Sequence, residues 1–191
     1  MPNFKTKPTL TAPEGTVKLR PFTETDIPTM LAILEMPDVN NLTGSVDEFI
    51  DTTTPMSAAE RESTTDWYRT RNAQTDRLDL AIEYDNQVVG EVVLNNYDEE
   101  ANMSNIRILI SDDFVGRGIG TQALKLMAKY AFNDVGLTAL TLDVATFNPR
   151  AKHVYEKIGF IEVGVLKDDL NISGKNYDSI LMKLTPDNLA K

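Results

Sequence analysis

The sequence predicts an α/β (α+β) fold, a mixed and mostly antiparallel central sheet of about seven strands with about four helices on its faces. Three observations predict it. Residues 78–111 hold three strand-like runs in succession, "LDLAIEY", "QVVGEVVLNNY" and "MSNIRILIS", joined by turn-forming residues. Two stretches with helical spacing follow, each entered from a strand-like run. At 191 residues, with 41% hydrophobic and 25% charged residues, the chain is large enough to bury a core and has the size of one domain.

Residues 1–12, rich in Thr, Pro and Lys, read as a loose lead-in to a single domain over 13–191. "TVKLRP" gives a strand near 16–21, and Thr23 with Asp26 three positions later forms a capping box that opens a helix running to about Glu35. Residues 37–56, "PDVNNLTGSVDEFIDTTTPM", lack sustained periodicity and read as a binding loop or one short helix; the segment carries Asp38, Asp47, Glu48 and Asp51. Ser57 then caps a polar helix over 57–73 anchored by Trp67. The three strands at 78–84, 87–97 and 103–111 make an antiparallel meander, with Asp85-Asn86 as the first turn. Ile119, Ala123, Leu126, Met127 and Tyr130 form an apolar stripe on a helix ending near Gly136. Leu140, Leu142 and Val144 share one face of a strand at 137–146. Asn148-Pro149 starts a helix with Ala151, Val154, Tyr155 and Ile158 on its apolar side and Gly159 at its end, and "FIEVGVLKDDL" and "YDSILMKL" supply two last strands.

Composition removes several chemistries. The 29 acidic and 19 basic residues give a net charge of -10, which disfavours nucleic acid or anionic lipid as partners. Residues 112–160 are the exception, with six Lys/Arg against five Asp/Glu. With no cysteine and one histidine, no thiol nucleophile, disulfide or Cys/His metal site is expected. No apolar signal segment or membrane-length run is present, so the chain reads as cytoplasmic.

The chemistry concentrates in "FVGRGIGTQALKLMAKYAF", residues 114–132. A strand, a glycine turn and a helix N-terminus make an anion site, because the first-turn N–H groups are unpaired and the helix dipole favours negative charge. Gly116, Gly118 and Gly120 either shape a tight turn or let a phosphate approach the backbone. An ATP/GTP loop needs Lys-Ser/Thr after its last glycine, whereas Gly120 is followed by Thr121-Gln122. A dinucleotide fingerprint needs G-x-G-x-x-G after an early strand of a parallel sheet, and the spacing here is G-x-G-x-G after a meander.

"NIRILISDDFVGRGIGTQAL" followed by "LTLDVATFNPRAKHVYEKIGFIEVG" resembles the GNAT superfamily of acyl-CoA-dependent N-acetyltransferases, in its branch of ribosomal-protein N-terminal and polyamine acetyltransferases. The resemblance is strongest over 103–164. It implies acetyl-CoA as co-substrate, with the pyrophosphate on the turn Val115, Gly116, Arg117, Gly118, Ile119, Gly120 and Thr121. It places the pantetheine arm along the main chain at Ile108 and Ile110, and an N–H at the end of that strand polarises the thioester carbonyl. Asn148 would contact the cofactor arm, and Tyr155 would protonate the departing thiolate. Asn148 is equally explained as an N-cap, and Tyr155 as a core tyrosine. Arg117, Lys152 and Lys157 are candidates to steady phosphates or are ordinary solvated charges, while His153 falls on a different helix face from Tyr155.

Two departures from the family stand out. Three positions before the Gly118-x-Gly120 pair, where many members carry Arg or Gln, stands Val115, which can offer only its main chain. Many members begin the strand before the glycine turn with a glutamate general base; here the position is Asn105, with Arg107 two further on, and Glu91 on the adjacent strand is the nearest replacement. The expected activity is direct transfer of an acetyl group from acetyl-CoA to a primary amine in a ternary complex. The acceptor would be a protein N-terminus, a polyamine or another small cationic amine, and relatives often form homodimers. The alternative is an acyl-CoA-binding sensor with weak turnover, and a third reading is an unrelated nucleotide-binding module.

Overall fold

The computed structural model of the chain describes residues 4–13, 15–43 and 46–190. Alternation in "VKLR" buries Val17 and Leu19 and forms β2 (Val17–Arg20), which pairs antiparallel with a two-residue strand β1 (Leu10–Thr11). The expected loose lead-in is therefore tied down from residue 4 onward. Phe4 is 1% exposed in the core, and the Lys7 ammonium donates to the carbonyls of Gln74 and Arg77 at 2.9 and 2.7 Å. The capping box of Thr23 and Asp26 is present and opens a 3-10 turn that leads into α1 (Ile27–Leu34). Arg20 grips Asp26 with both terminal nitrogens at 2.7 and 2.9 Å and Glu83 through Nε at 2.6 Å, fixing the start of α1 to the sheet.

The stretch without periodicity holds one short helix, α2 (Pro37–Leu42), with Pro37 in its first turn. Ser57 and Glu60 complete a capping box at α3 (Ala58–Thr70). The meander consists of β3 (Leu78–Tyr84), β4 (Gln87–Asp98) and β5 (Met103–Ile110), with Asp85 and Asn86 both at positive φ in the first turn. Next come α4 (Ile119–Tyr130), whose end widens into a π turn closed by Gly136, then β6 (Ala139–Ala145) and α5 (Pro149–Ile158). β7 (Ile161–Ile172) and β8 (Lys175–Leu184) form a hairpin longer than the sequence suggests.

Among the described residues the eight strands form one open sheet in the order β1-β2-β3-β4-β5-β6-β8-β7. Every neighbouring pair is antiparallel except β5 and β6, which are parallel. The main core lies between the sheet and the helices α4 and α5, where Leu80, Ile82, Leu94, Ile106, Met127 and Leu140 are fully buried. A smaller core on the other side joins Phe22, Met30, Ile33 and Tyr68 under α1 and α3. No helix among the described residues is long and apolar enough to cross a membrane.

Candidate active site

The parallel strands β5 and β6 stay in register for only three residue pairs, Met103 with Ala139, Ser104 with Leu140 and Asn105 with Thr141. Beyond these the strands separate, and a gap opens in the middle of the sheet. A cavity of about 470 Å³ fills that gap and runs from the glycine turn to the N-terminus of α5. On the β5 side, Ile108 and Ile110 line it; β4 pairs with one edge of β5 there, and the other edge, beyond its last pair with β6, faces the opening.

The turn before α4 is built for close approach. Gly118 is the N-cap of α4 at φ 76°, Gly116 stands at φ 79°, and a Cβ on either would meet nothing within 4 Å. The left-handed backbone therefore accounts for both glycines, and the space before them is open. Gly120 has a different cause: a Cβ there would lie 3.2 Å from Ile110 Cδ1, so its absence lets α4 sit close against β5. Val115, Gly116, Gly118, Ile119, Gly120 and Thr121 all line the cavity. The turn's unpaired N–H groups and the dipole of a twelve-residue helix face the same space.

From the other wall, α5 contributes Asn148, Tyr155 and Lys157. Asn148 is buried, and its side chain accepts from the Ala151 N–H at 3.1 Å while lining the cavity, so capping and site location coincide. Burial pushes the Tyr155 hydroxyl up to about 12, with Asp143 adding to the rise and Arg107 opposing it. Tyr155 packs edge-on against Phe160, with centroids 5.7 Å apart. It is both a packed tyrosine and a lining residue.

Two expected phosphate contacts do not line the cavity. The Arg117 guanidinium lies 4.8 Å from the Phe114 ring centroid and donates to the Asp113 carbonyl at 3.0 Å. Lys152 is held between Glu156 and Glu162 at 3.3 Å each, because the helical i,i+4 spacing and the start of β7 put two carboxylates beside it. Arg150 lines the cavity instead, one residue past the Pro149 that opens α5. That proximity to the helix start was a signal available in the sequence. His153 is exposed.

Glu91 lies in an adjoining cavity of about 370 Å³, which shares Arg107, Ile108 and Leu109 with the first. It is opposite Leu109 across the β4–β5 pair and on the same side of the sheet as Arg107, which is opposite Val93. The Tyr68 hydroxyl of α3 donates to Glu91 Oε2 at 3.1 Å. Burial raises the Glu91 carboxyl to about 7, and the charge of Asp79 adds to this; the Tyr68 hydrogen bond, Arg77 and Arg107 pull the other way. Asp79 is fully buried and held by Arg77 through two bonds of 2.7 and 2.8 Å. Val39 and Thr43 of the α2 region line both cavities, a role that periodicity could not show.

Comparison with known proteins agrees with this geometry. Spermidine N(1)-acetyltransferase of Escherichia coli (strain K12) is 33% identical over 103 residues, which is 54% of this chain and 55% of that protein. [Ribosomal protein bS18]-alanine N-acetyltransferase of Haemophilus influenzae is 33% identical over 99 residues, 51% of this chain and 65% of that protein. These matches thus span less than two thirds of either relative's length. The fold matches the crystal structure of spermidine N-acetyltransferase from Vibrio cholerae in complex with CoA and spermine, with a TM-score of 0.77, 20% identity and coverage of 91% of this chain and 97% of that one. The family described as acetyltransferase (GNAT) domain matches residues 16–161. With a split sheet, a glycine turn and a tyrosine helix meeting at one cleft, the chain belongs to the GNAT acetyltransferase family.

Proposed function

We propose that this protein moves an acetyl group from acetyl-CoA to a primary amine by direct attack in a ternary complex. The observation that carries the reading is the continuous cleft between the separated strands β5 and β6, with the glycine turn at one end and Tyr155 at the other. Two features support a coenzyme here: open backbone at Gly116 and Gly118 suits a pyrophosphate, and an unpaired strand edge suits the amides of a pantetheine arm. Acetyl-CoA supplies an acyl carbon activated by its thioester.

The chain's own residues handle positioning and protons. Glu91, whose carboxyl titrates near neutrality, takes a proton from the acceptor's ammonium group, directly or through one water, so that a neutral amine attacks. As the nitrogen–carbon bond forms and the carbon–sulfur bond breaks, Tyr155 gives its proton to the leaving sulfur, and the proton that the acylated nitrogen sheds to become a neutral amide returns to the phenolate. A hydroxyl titrating near 12 stays protonated across the working pH range, so the donor is always loaded. Asn148 holds the start of α5, and thereby Tyr155, against the cleft.

The relatives named above act on spermidine and on a ribosomal protein alanine, which supports an amine acceptor for this chain. The test is release of free coenzyme A thiol from acetyl-CoA across polyamines, amino acids, aminoglycosides and short peptides. Because the protein has no cysteine, its own thiol background is zero. A clear acceptor establishes the transfer. Silence across the panel with acetyl-CoA still bound favours the sensor reading, which the Asn105 substitution for the family's glutamate motivates.

A further inference from the structure

Ser179 of β8 is 1% exposed, lines the cleft, and its Oγ has no hydrogen-bond partner. A buried hydroxyl left unpaired is destabilising, and native structures keep few of them. Its position shows which ligand it serves. Asn105 of β5 pairs with Thr141 of β6, so Arg107 on one strand and Asp143 and Ala145 on the other point to the same side of the sheet. Ser179 stands opposite Ala145 and shares that side. It is the side of Glu91, roofed by Val39, Leu42 and Thr43, and it faces away from the helices α4 and α5.

We propose that Ser179 is a specificity-determining residue that contacts the acceptor, its hydroxyl left unpaired in the free protein and satisfied by a neutral hydrogen-bonding group carried on the acceptor amine. This rests on the transfer reading above. The neutral class follows from the surroundings. Ser179 stands opposite Ala145 of β6 and Leu166 of β7, both apolar, and the carboxylate that shares its side, Asp143, lies two residues further along β6. Arg107, which has no ion-pair partner among the described residues, adds positive charge to the same side. Asp38 and Asp143 also line the cleft and suit the ammonium group that is to be acetylated. The matching acceptor therefore has one amine with an amide or hydroxyl nearby, as a peptide with a free N-terminus does, in preference to a chain of several ammonium groups.

The experiment compares wild type with Ser179→Ala in steady-state kinetics and thermal shift, using acetyl-CoA with a short free-amine peptide or with spermidine. The variant should raise the peptide KM by about three- to ten-fold, the worth of one hydrogen bond, while the acetyl-CoA KM and kcat stay within about two-fold. Ser179→Thr, which keeps the hydroxyl, should hold the peptide KM closer to wild type. An unchanged peptide KM overturns the assignment, and a rise confined to acetyl-CoA moves the hydroxyl to the cofactor. An equal rise for spermidine overturns the neutral class. If wild type turns over neither amine, the transfer reading is decided separately by the wider amine panel. Ser179 is then judged by melting with coenzyme A present, where a peptide-induced shift that survives in Ser179→Ala, or is absent from wild type, overturns the proposal.

Discussion

At the scale of the residue, Tyr155 and Glu91 differ in how much of their behaviour the sequence discloses. The helix position of Tyr155 follows from the spacing after Asn148-Pro149, and its protonated state follows chiefly from burial, with Asp143 adding to it. Replacing it with Phe should lower kcat by about 10²-fold or more and leave acetyl-CoA affinity within about two-fold, as titration calorimetry would record; unchanged turnover would remove it from the mechanism. The proton affinity of Glu91 depends on Tyr68 and Asp79, from α3 and β3, and no local pattern joins those three. In the proposed role of base, Glu91 must be ionised, so kcat/KM should rise with pH through about 7, and Glu91→Gln should flatten that limb and lower activity about 10²- to 10⁴-fold. The stability effect has the opposite sign. The folded carboxyl titrates near 7 and the free group near 4.5, so the folded state holds its proton longer and loses stability as pH climbs between those values. The loss is about 3 kcal/mol, and denaturant melts at pH 5 and 8 should show it in wild type and not in Glu91→Gln.

Elements with a strong period were readable, and short ones were not. The helix over 119–136, with its glycine entrance and exit, is found where its apolar stripe predicts, as is the helix after Asn148. By contrast β1 is two residues and α2 six, too short to complete a pattern, and tertiary contacts decide them. The glycine turn shows how function and geometry overlap within one element. Gly118→Ala forces a side chain into the left-handed region and should lower stability by about 1–2 kcal/mol. Asn tolerates that conformation better, so Gly118→Asn should recover much of the melting temperature. If both variants lose acetyl-CoA affinity alike while differing in stability, the open space before the turn, not the backbone angle, is what the ligand needs.

Over the whole molecule, the sequence order does not announce which strands meet at the cleft. β5 and β6 are joined by α4, a parallel crossover whose partner choice depends on packing rather than on either strand's pattern. The segment after α2 is likewise placed by distant partners: the Ser173 N–H donates to the Asp47 carbonyl at 2.7 Å, and Phe49 meets Phe147 and Tyr177 with ring centroids 5.4 and 6.0 Å away. That clasp draws the acidic loop onto the β7–β8 hairpin beside the cleft. Phe49 is 42% exposed, so Phe49→Ala should change stability by only about 1 kcal/mol. It should raise the acceptor KM more than the acetyl-CoA KM, and equal changes in both would remove the loop from acceptor binding.

The three-pair contact between β5 and β6 has a mechanical consequence. A sheet split at its centre is two half-sheets sharing a hinge, with helices as the remaining bridges. Anything that lies in the split and bonds to both edges acts as a splint. The free protein should therefore breathe along that line and the loaded one should stiffen there, which makes product departure, not only chemistry, a step at which this architecture sets the pace of turnover.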